Sequence, residues 1–238
     1  MKRFAAFDID GTLVRWQLFH TIVDTLAKQG SVSSREHEAM TEHYEAWRRR
    51  ENTESFHTYE ATSLKAWFAL MKHTTVDEFH TAVDAAFETH KDFVYRYTRD
   101  LCKALKADGY TLIAISGSHQ EVVDKIAEYY HFDYALGSVY PHSTAGRFTG
   151  EEITPVFDKG VCLKQIVHTL GLTWEDSYAV GDSRSDAKMM ELVTNPVAFN
   201  PDKNLLAIAK DSNWRVVIER KNVIYELSQQ NGIYTLTE

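Results

Sequence analysis

Between Arg15 and Tyr97 this chain has no proline and a single glycine, Gly30. Without these breakers the stretch is poorly suited to tight turns. Its apolar residues recur at helical spacing instead: Leu18, Phe19, Ile22, Val23 and Leu26, then Leu64, Trp67, Phe68 and Met71, then Val83, Ala86, Phe87 and Val94. The pattern predicts an all-helical insert of about four helices. Cysteine is also scarce. Cys102 and Cys162 lack any close metal-ligand spacing and read as free buried thiols in a reducing compartment. Basic charge is short: 26 basic against 34 acidic side chains give −8, which argues against a nucleic-acid-binding surface. A local anion site is still allowed, because a metal ion or a helix N-terminus can reverse the field within one cleft. No apolar run approaches about 18 residues, so no membrane span is expected. After Lys2-Arg3 only four apolar residues precede Asp8, too few for a signal-peptide core, and the expected location is cytoplasmic. Repeats and low-complexity segments are absent too.

The chain opens with the apolar strand signal Arg3–Phe7, followed by Asp8-Ile9-Asp10-Gly11-Thr12. Strand alternation puts Asp8 and Asp10 on one face, where two like charges beside a buried segment repel and lose hydration. A positive partner is therefore expected. After the insert the pattern changes. A helix near Thr98–Ala107 stops at Asp108-Gly109, and the apolar run Tyr110–Ile115 ends at Ser116-Gly117-Ser118. A second helix spans about Gln120–Tyr130. Strand signals at Tyr134–Tyr140, Ser177–Val180, Val197–Phe199 and Val216–Ile218 then alternate with helical stretches at Lys159–Leu170 and Asp186–Leu192. This alternation predicts a mostly parallel sheet covered by helices, with its chemistry at the carboxyl ends of the strands. Ala145–Gly150 reads as a hairpin turn.

Asp8, Ser116 and Asp182 each fall at or just past such a strand end, and the geometry predicts that they converge. The second acidic cluster, Gly181-Asp182-Ser183-Arg184-Ser185-Asp186, also follows a strand. Three carboxylates at one rim supply the hard oxygen ligands that magnesium takes. A divalent cation is thus the expected partner of Asp8 and Asp10, with Asp182 as a further ligand. Ser116 and Gly117 offer a hydroxyl and N–H groups to an anion, and Lys159 could neutralise a phosphoryl oxygen.

Taken in order, Asp8-Ile-Asp10-Gly-Thr-Leu-Val14, Ser116-Gly117, Lys159 and Gly181-Asp182…Asp186 resemble the four motifs of the haloacid dehalogenase superfamily of phosphohydrolases. The likeness spans about residues 4–202. The insert resembles the C1 cap of the phosphoserine-phosphatase-like branch, and Phe199-Asn-Pro-Asp202 is similar to that branch's tail. The resemblance implies a Rossmann-like α/β core from residues 1–14 and 98–238, with a helical cap at 15–97 closing over the substrate. It implies that Asp8 is the nucleophile that forms an aspartyl-phosphate, and that Asp10 is the general acid and then base. Ser116, Gly117 and Lys159 would hold phosphoryl oxygens. Asp8, the Asp10 carbonyl and Asp182 would bind Mg2+, and Thr12 would support the turn. Asp186 would brace the site, bind the metal directly or hold Lys159.

The expected substrate is a small phosphorylated metabolite. Phosphoserine is one candidate, and phosphotransfer to a non-water acceptor is an alternative. A binding module without turnover is disfavoured, because every required position is occupied. Phosphoserine phosphatases usually carry a glutamate shortly after the first motif, suited to the substrate ammonium, whereas Gln17 stands at that position here. Arg48 and Arg49 are candidates for substrate recognition, although Arg48–Arg50 also read as a solvated helix face. Trp16, Trp47 and Trp67 read first as packing. The sequence leaves the oligomeric state open.

Overall fold

The computed structural model describes residues 2–31, 34–153, 155–230 and 233–237. The chain divides into two compact units. The first comprises Met1–Trp16, His90–Ser138 and Thr154–Glu238, and the second Gln17–Thr89 with Val139–Ile153.

The first unit holds one sheet of eight strands: β1 Phe4–Phe7, β2 Thr111–His119, β3 Tyr134–Ser138, β4 Tyr178–Gly181, β5 Asn195–Phe199, β6 Arg215–Arg220, β7 Val223–Gln230 and β8 Ile233–Thr237. Their spatial order is β3-β2-β1-β4-β5-β6-β7-β8, parallel from β3 through β6 and antiparallel across β6-β7-β8. Strand β1 is Phe-Ala-Ala-Phe and wholly buried, as suits a parallel strand covered on both faces. One face of the sheet buries Phe4, Ala6, Ile113, Ile115, Leu163 and Met189; the other buries Ala5, Phe7, Leu112, Val180 and Phe199. Strand order reverses between β1 and β4, and ligands of such sheets bind outside the carboxyl ends of strands at that switch.

In the second unit, helices Leu18–Leu26 (α1), Ser34–Arg48 (α2), Ser55–Met71 (α3) and Val76–His90 (α4) fill the stretch whose periodicity predicts helices. Residues 139–153 join this unit rather than the strand–helix core. Their hairpin (Ser143 N–H to the Arg147 carbonyl, 2.8 Å) delivers Tyr140 and Phe148 to Trp67, at ring distances of 5.1 and 5.5 Å. Trp67 is completely buried and does pack, as its spacing suggests.

The remaining helices are α5 Arg96–Ala107, α6 Gln120–Tyr129, α7 Lys159–Leu170, α8 Ala187–Met190 and α9 Lys203–Asp211, all in the first unit. Helix α7 begins at Asp158, whose carboxylate accepts the Val161 N–H at 3.0 Å. It ends at Gly171 in the left-handed region. Three elements go beyond the sequence reading: α9 and the antiparallel pair β7-β8. Cys102 is buried and Cys162 half-buried, and both are free, so only the first fits the buried-thiol expectation. No helix among the described residues is long and apolar enough to cross a membrane.

Candidate active site

The carboxyl ends of β1, β2 and β4 bring the acidic motifs together. Asp8 extends the β1–β4 pairing by one bond, its N–H donating to the Val180 carbonyl at 3.0 Å. The chain then turns sharply: the Ile9 carbonyl accepts from Leu13 and Val14, each at 2.9 Å. Gly11 makes this turn possible. Its φ is +81°, and a Cβ there would lie 2.2 Å from Asp182 Oδ2. We expect Gly11→Ala to cost about 1–3 kcal/mol in backbone strain and to displace the Asp182 carboxylate. Urea midpoints measured with and without added divalent cation check both effects.

Lys159, at the start of α7, is 2% exposed and lies between two carboxylates. Its Nζ donates to Asp8 Oδ1 and to Asp186 Oδ1, each at 2.7 Å. The other Asp186 oxygen accepts the N–H groups of Asp182 and Ser183 at 3.1 and 3.0 Å. Asp186 therefore holds Lys159 with one oxygen and shapes the Asp182 turn with the other. Ser183 and Asp186 form a reciprocal capping box. Ser183 was not singled out in the sequence, although the Ser-x-x-Asp spacing is a legible sign of that device. Gly181 is again required: a Cβ there would lie 2.4 Å from the Asp186 Cβ.

Ser116 comes from β2, next to β1. Its hydroxyl donates to Asp10 Oδ2 at 2.7 Å and accepts the Ser118 N–H at 2.9 Å. The β2–β3 register shifts between Ile115 and His119, so β2 runs on through the motif instead of ending at it. Such an irregularity re-aims side chains at a strand end. The Gly117 carbonyl accepts from Ser138 Oγ at 2.6 Å. Thr12 sits over the turn, its hydroxyl 3.5 Å from Asp182 Oδ1 and its carbonyl accepting from Thr98 Oγ1 at 2.8 Å.

Electrostatically the site is short of positive charge: Asp10 and Asp182 lie beside Asp8 and Asp186, and among the described residues Lys159 is the one cation that touches the latter pair. Burial pushes the Asp8 pKa up to about 7; Lys159 opposes this while Asp186 and Asp10 add to it. Half-buried Asp182 is raised well above the ordinary carboxylate range, first by burial and then by Asp8 and Asp186. Burial alone would lower the Lys159 pKa, but Asp186 and Asp8 outweigh it and hold the ammonium charged. Oxygens of Asp8, Asp182 and Asp186 lie within 4.8 Å of one another. This donor set of hard oxygens, crowded around too little positive charge, fits a divalent cation.

The remaining sequence candidates lie in the second unit. Gln17 precedes α1 without capping it. Arg48 and Arg49 are exposed and paired with Glu45 and Glu51, at 2.7 and 2.8 Å, as a solvated helix face would be.

The family of haloacid dehalogenase-like hydrolases matches residues 5–191. Among curated proteins, a histidinol-phosphatase of Neisseria meningitidis serogroup C is 26% identical over 231 residues, covering 91% of this chain and 99% of the relative. A phosphoserine phosphatase of Methanocaldococcus jannaschii is 27% identical over 201 residues, covering 83% of this chain and 85% of its own. Two solved structures share the fold at 23% identity, each over 92% of this chain. One is a Bordetella pertussis protein of unknown function (TM-score 0.71, 99% of that chain covered). The other is a phospho-aspartyl intermediate analogue of phosphoserine phosphatase (TM-score 0.63, 94% covered). The matched span takes in most of the chain and every carboxylate, serine and lysine described above, and the chain belongs to the haloacid dehalogenase-like hydrolases, with phosphatases among its relatives.

Proposed function

We propose that this protein is a magnesium-dependent phosphatase that hydrolyses a small phosphomonoester through an aspartyl-phosphate on Asp8. The observation that carries the reading is the Lys159 bridge to Asp8 and Asp186, with Ser116 bonded to Asp10 on the adjacent strand. An Asp8 oxygen attacks phosphorus, and the bond from phosphorus to the ester oxygen breaks. Asp10 gives its proton to the departing alkoxide. In the second step Asp10, now a carboxylate, takes a proton from water as the water oxygen attacks the aspartyl-phosphate. Inorganic phosphate leaves and Asp8 is regenerated. Lys159 offsets charge on the equatorial oxygens, and Ser116 with the Gly117 backbone binds them. Asp8, the Asp10 carbonyl and Asp182 would hold Mg2+, which when bound supplies positive charge that lets an anionic nucleophile approach an anionic substrate.

The substrate class proposed here takes its support from the names of two relatives. Histidinol phosphate and phosphoserine are both phosphate esters of a 2-amino alcohol, and they differ in the third substituent, imidazolylmethyl against carboxylate. We assign this chain to that class. Gln17, standing where phosphoserine phosphatases usually place a glutamate, can accept a hydrogen bond from an ammonium without contributing charge. The helical unit, Gln17–Thr89 with Val139–Ile153, is proposed to act as the cap that selects the leaving group. Phosphate release from histidinol phosphate, phosphoserine, phosphoethanolamine, sugar phosphates and nucleoside monophosphates tests the reading. Release that is selective for the amino alcohol esters and abolished by EDTA is expected. Preference for the sugar phosphates or nucleotides would contradict the substrate class, and release undiminished by EDTA would contradict the metal.

A further inference from the structure

Helix α5 starts beside the turn that carries Asp8 and Asp10, yet its own N-cap residue supplies no side-chain bond: Tyr95 stands there. The first N–H groups of a helix need acceptors, and a negative charge there also complements the helix dipole. The acceptor comes from β6, whose Val217 shares a core face with Cys102 and Leu105 of α5. Glu219, on β6 and 8% exposed, accepts the Tyr97 N–H on Oε2 at 2.8 Å. Its other oxygen pairs with the Arg15 guanidinium. One buried carboxylate thus caps α5 and anchors the residue just before Trp16, where the first unit gives way to the second.

The surrounding contacts make a single cluster. Arg15 Nε donates to the Val94 carbonyl at 2.8 Å, and the guanidinium lies 4.7 Å over the Tyr95 ring. The chain entering the insert and the chain leaving it are bonded to each other: Arg15 N–H to the Phe93 carbonyl and Tyr95 N–H to the Leu13 carbonyl, both at 2.9 Å. The Glu219 N–H donates to Asn200 Oδ1 at 2.9 Å. Asn200 begins the turn in which the Asp202 N–H reaches the Asp182 carbonyl at 2.8 Å. Tyr95 and Tyr97 both pack on Phe199, at ring distances of 4.9 and 5.8 Å. Thr98 in the first turn of α5 holds the Thr12 carbonyl. Glu219 therefore reaches the acidic motifs by two routes, through α5 to the Asp8–Asp10 turn and through Asn200 to the Asp182 turn.

We infer that Glu219 and Arg15 are positioning residues for the phosphoryl-transfer site. The pair sets where the first motif turn and both connections to the helical insert sit, without touching the substrate itself. This inference rests on the proposed phosphatase reading, so its test carries one readout independent of turnover.

Glu219→Gln keeps an oxygen for the Tyr97 N–H but faces an amide toward Arg15. Arg15→Gln removes the charge from the exposed side of the pair and is the variant that preserves the buried carboxylate. With p-nitrophenyl phosphate and saturating Mg2+, each variant should lose about 10- to 100-fold in kcat, with KM changed less than about twofold. Arg15→Lys should recover part of the loss. The double variant should lose less than the product of the two single losses, because the Arg15–Glu219 pair is common to both substitutions. Amide hydrogen exchange should quicken in residues 12–16 and 93–98 and stay unchanged in α9. Wild-type kcat in both variants, or a double variant whose losses multiply, overturns the inference. Unchanged exchange at 12–16 and 93–98 also overturns it, whatever the activity. A wild-type enzyme silent toward every phosphomonoester would count against the proposed function alone, and the exchange measurement would still decide this inference.

Discussion

Asp8→Asn is expected to fold normally and to lose at least about 10^4-fold in phosphatase kcat, the scale seen when a nucleophile is removed. The two halves of that result have separate causes. Asparagine has nearly the shape of aspartate, and its carbonyl oxygen can still accept the Lys159 hydrogen bond now made at 2.7 Å. The substitution also removes one of four crowded carboxylates. Burial and the neighbouring Asp186 and Asp10 already hold the Asp8 proton up to about pH 7, so a neutral group is well tolerated there. Metal-free stability should stay within about 1 kcal/mol of wild type. Turnover behaves differently, because an amide cannot attack phosphorus and be regenerated. A urea denaturation curve paired with an initial-rate assay separates folding from catalysis, and a folded variant with near-normal kcat would end the nucleophile assignment.

Lys159→Met has the largest expected effect on stability. Lys159 is the one cation in direct contact with Asp8 and Asp186 among the described residues, and all three are buried. Removing one partner from a buried ionic cluster typically costs about 3–5 kcal/mol, because the remaining charges have lost their water and gained nothing in return. The loss should depend on pH in a defined direction. Asp8 already has a folded-state pKa raised by burial above the unfolded value of about 4, and losing the ammonium that opposes this raises it further. A group raised in this way binds its proton more tightly in the folded state, so its contribution falls as pH rises toward the folded pKa. The penalty of Lys159→Met should therefore be small in mild acid and grow as pH passes about 7, where wild-type Asp8 itself titrates. Urea midpoints of the metal-free proteins across that range provide the check. A penalty independent of pH would mean that Lys159 acts mainly by filling space.

Much of the first unit was legible because its signals are local. Phe-Ala-Ala-Phe before Asp8 is a buried strand by composition alone, and Lys159–Leu170 is helical to the residue. The strand-end rule then places Asp8, Ser116 and Asp182 at one rim before any coordinates exist. The part played by Asp186 was not decidable in this way. Three roles fit its spacing, and only the three-dimensional path of the chain brings its two oxygens to Lys159 on one side and to the Asp182 and Ser183 N–H groups on the other. The turn at Ala145–Gly150 was legible, but the place of residues 139–153 in the helical unit was not, because the contacts of Tyr140 and Phe148 with Trp67 are long-range packing. The β7-β8 pair carries a local signal too: alternation on both sides of Asn231-Gly232 is a strong hairpin mark, although those two residues lie outside the described ones. Glu219 carried no local signal at all. In a strand reading Val-Ile-Glu-Arg it resembles an ordinary outward charge, and its capping of α5 joins residues more than a hundred positions apart.

The proposed intermediate is a covalent aspartyl-phosphate, and it can be trapped. Wild-type protein with Mg2+ and excess p-nitrophenyl phosphate is quenched in acid during the first turnover, and its intact mass and Asp8-containing peptide are read. The expected result is a mass gain of one phosphoryl group, labile to alkali as an acyl phosphate is, located on Asp8 and absent when EDTA replaces the metal. Active enzyme that releases phosphate without ever carrying the group, or that carries it on another residue, would contradict the mechanism.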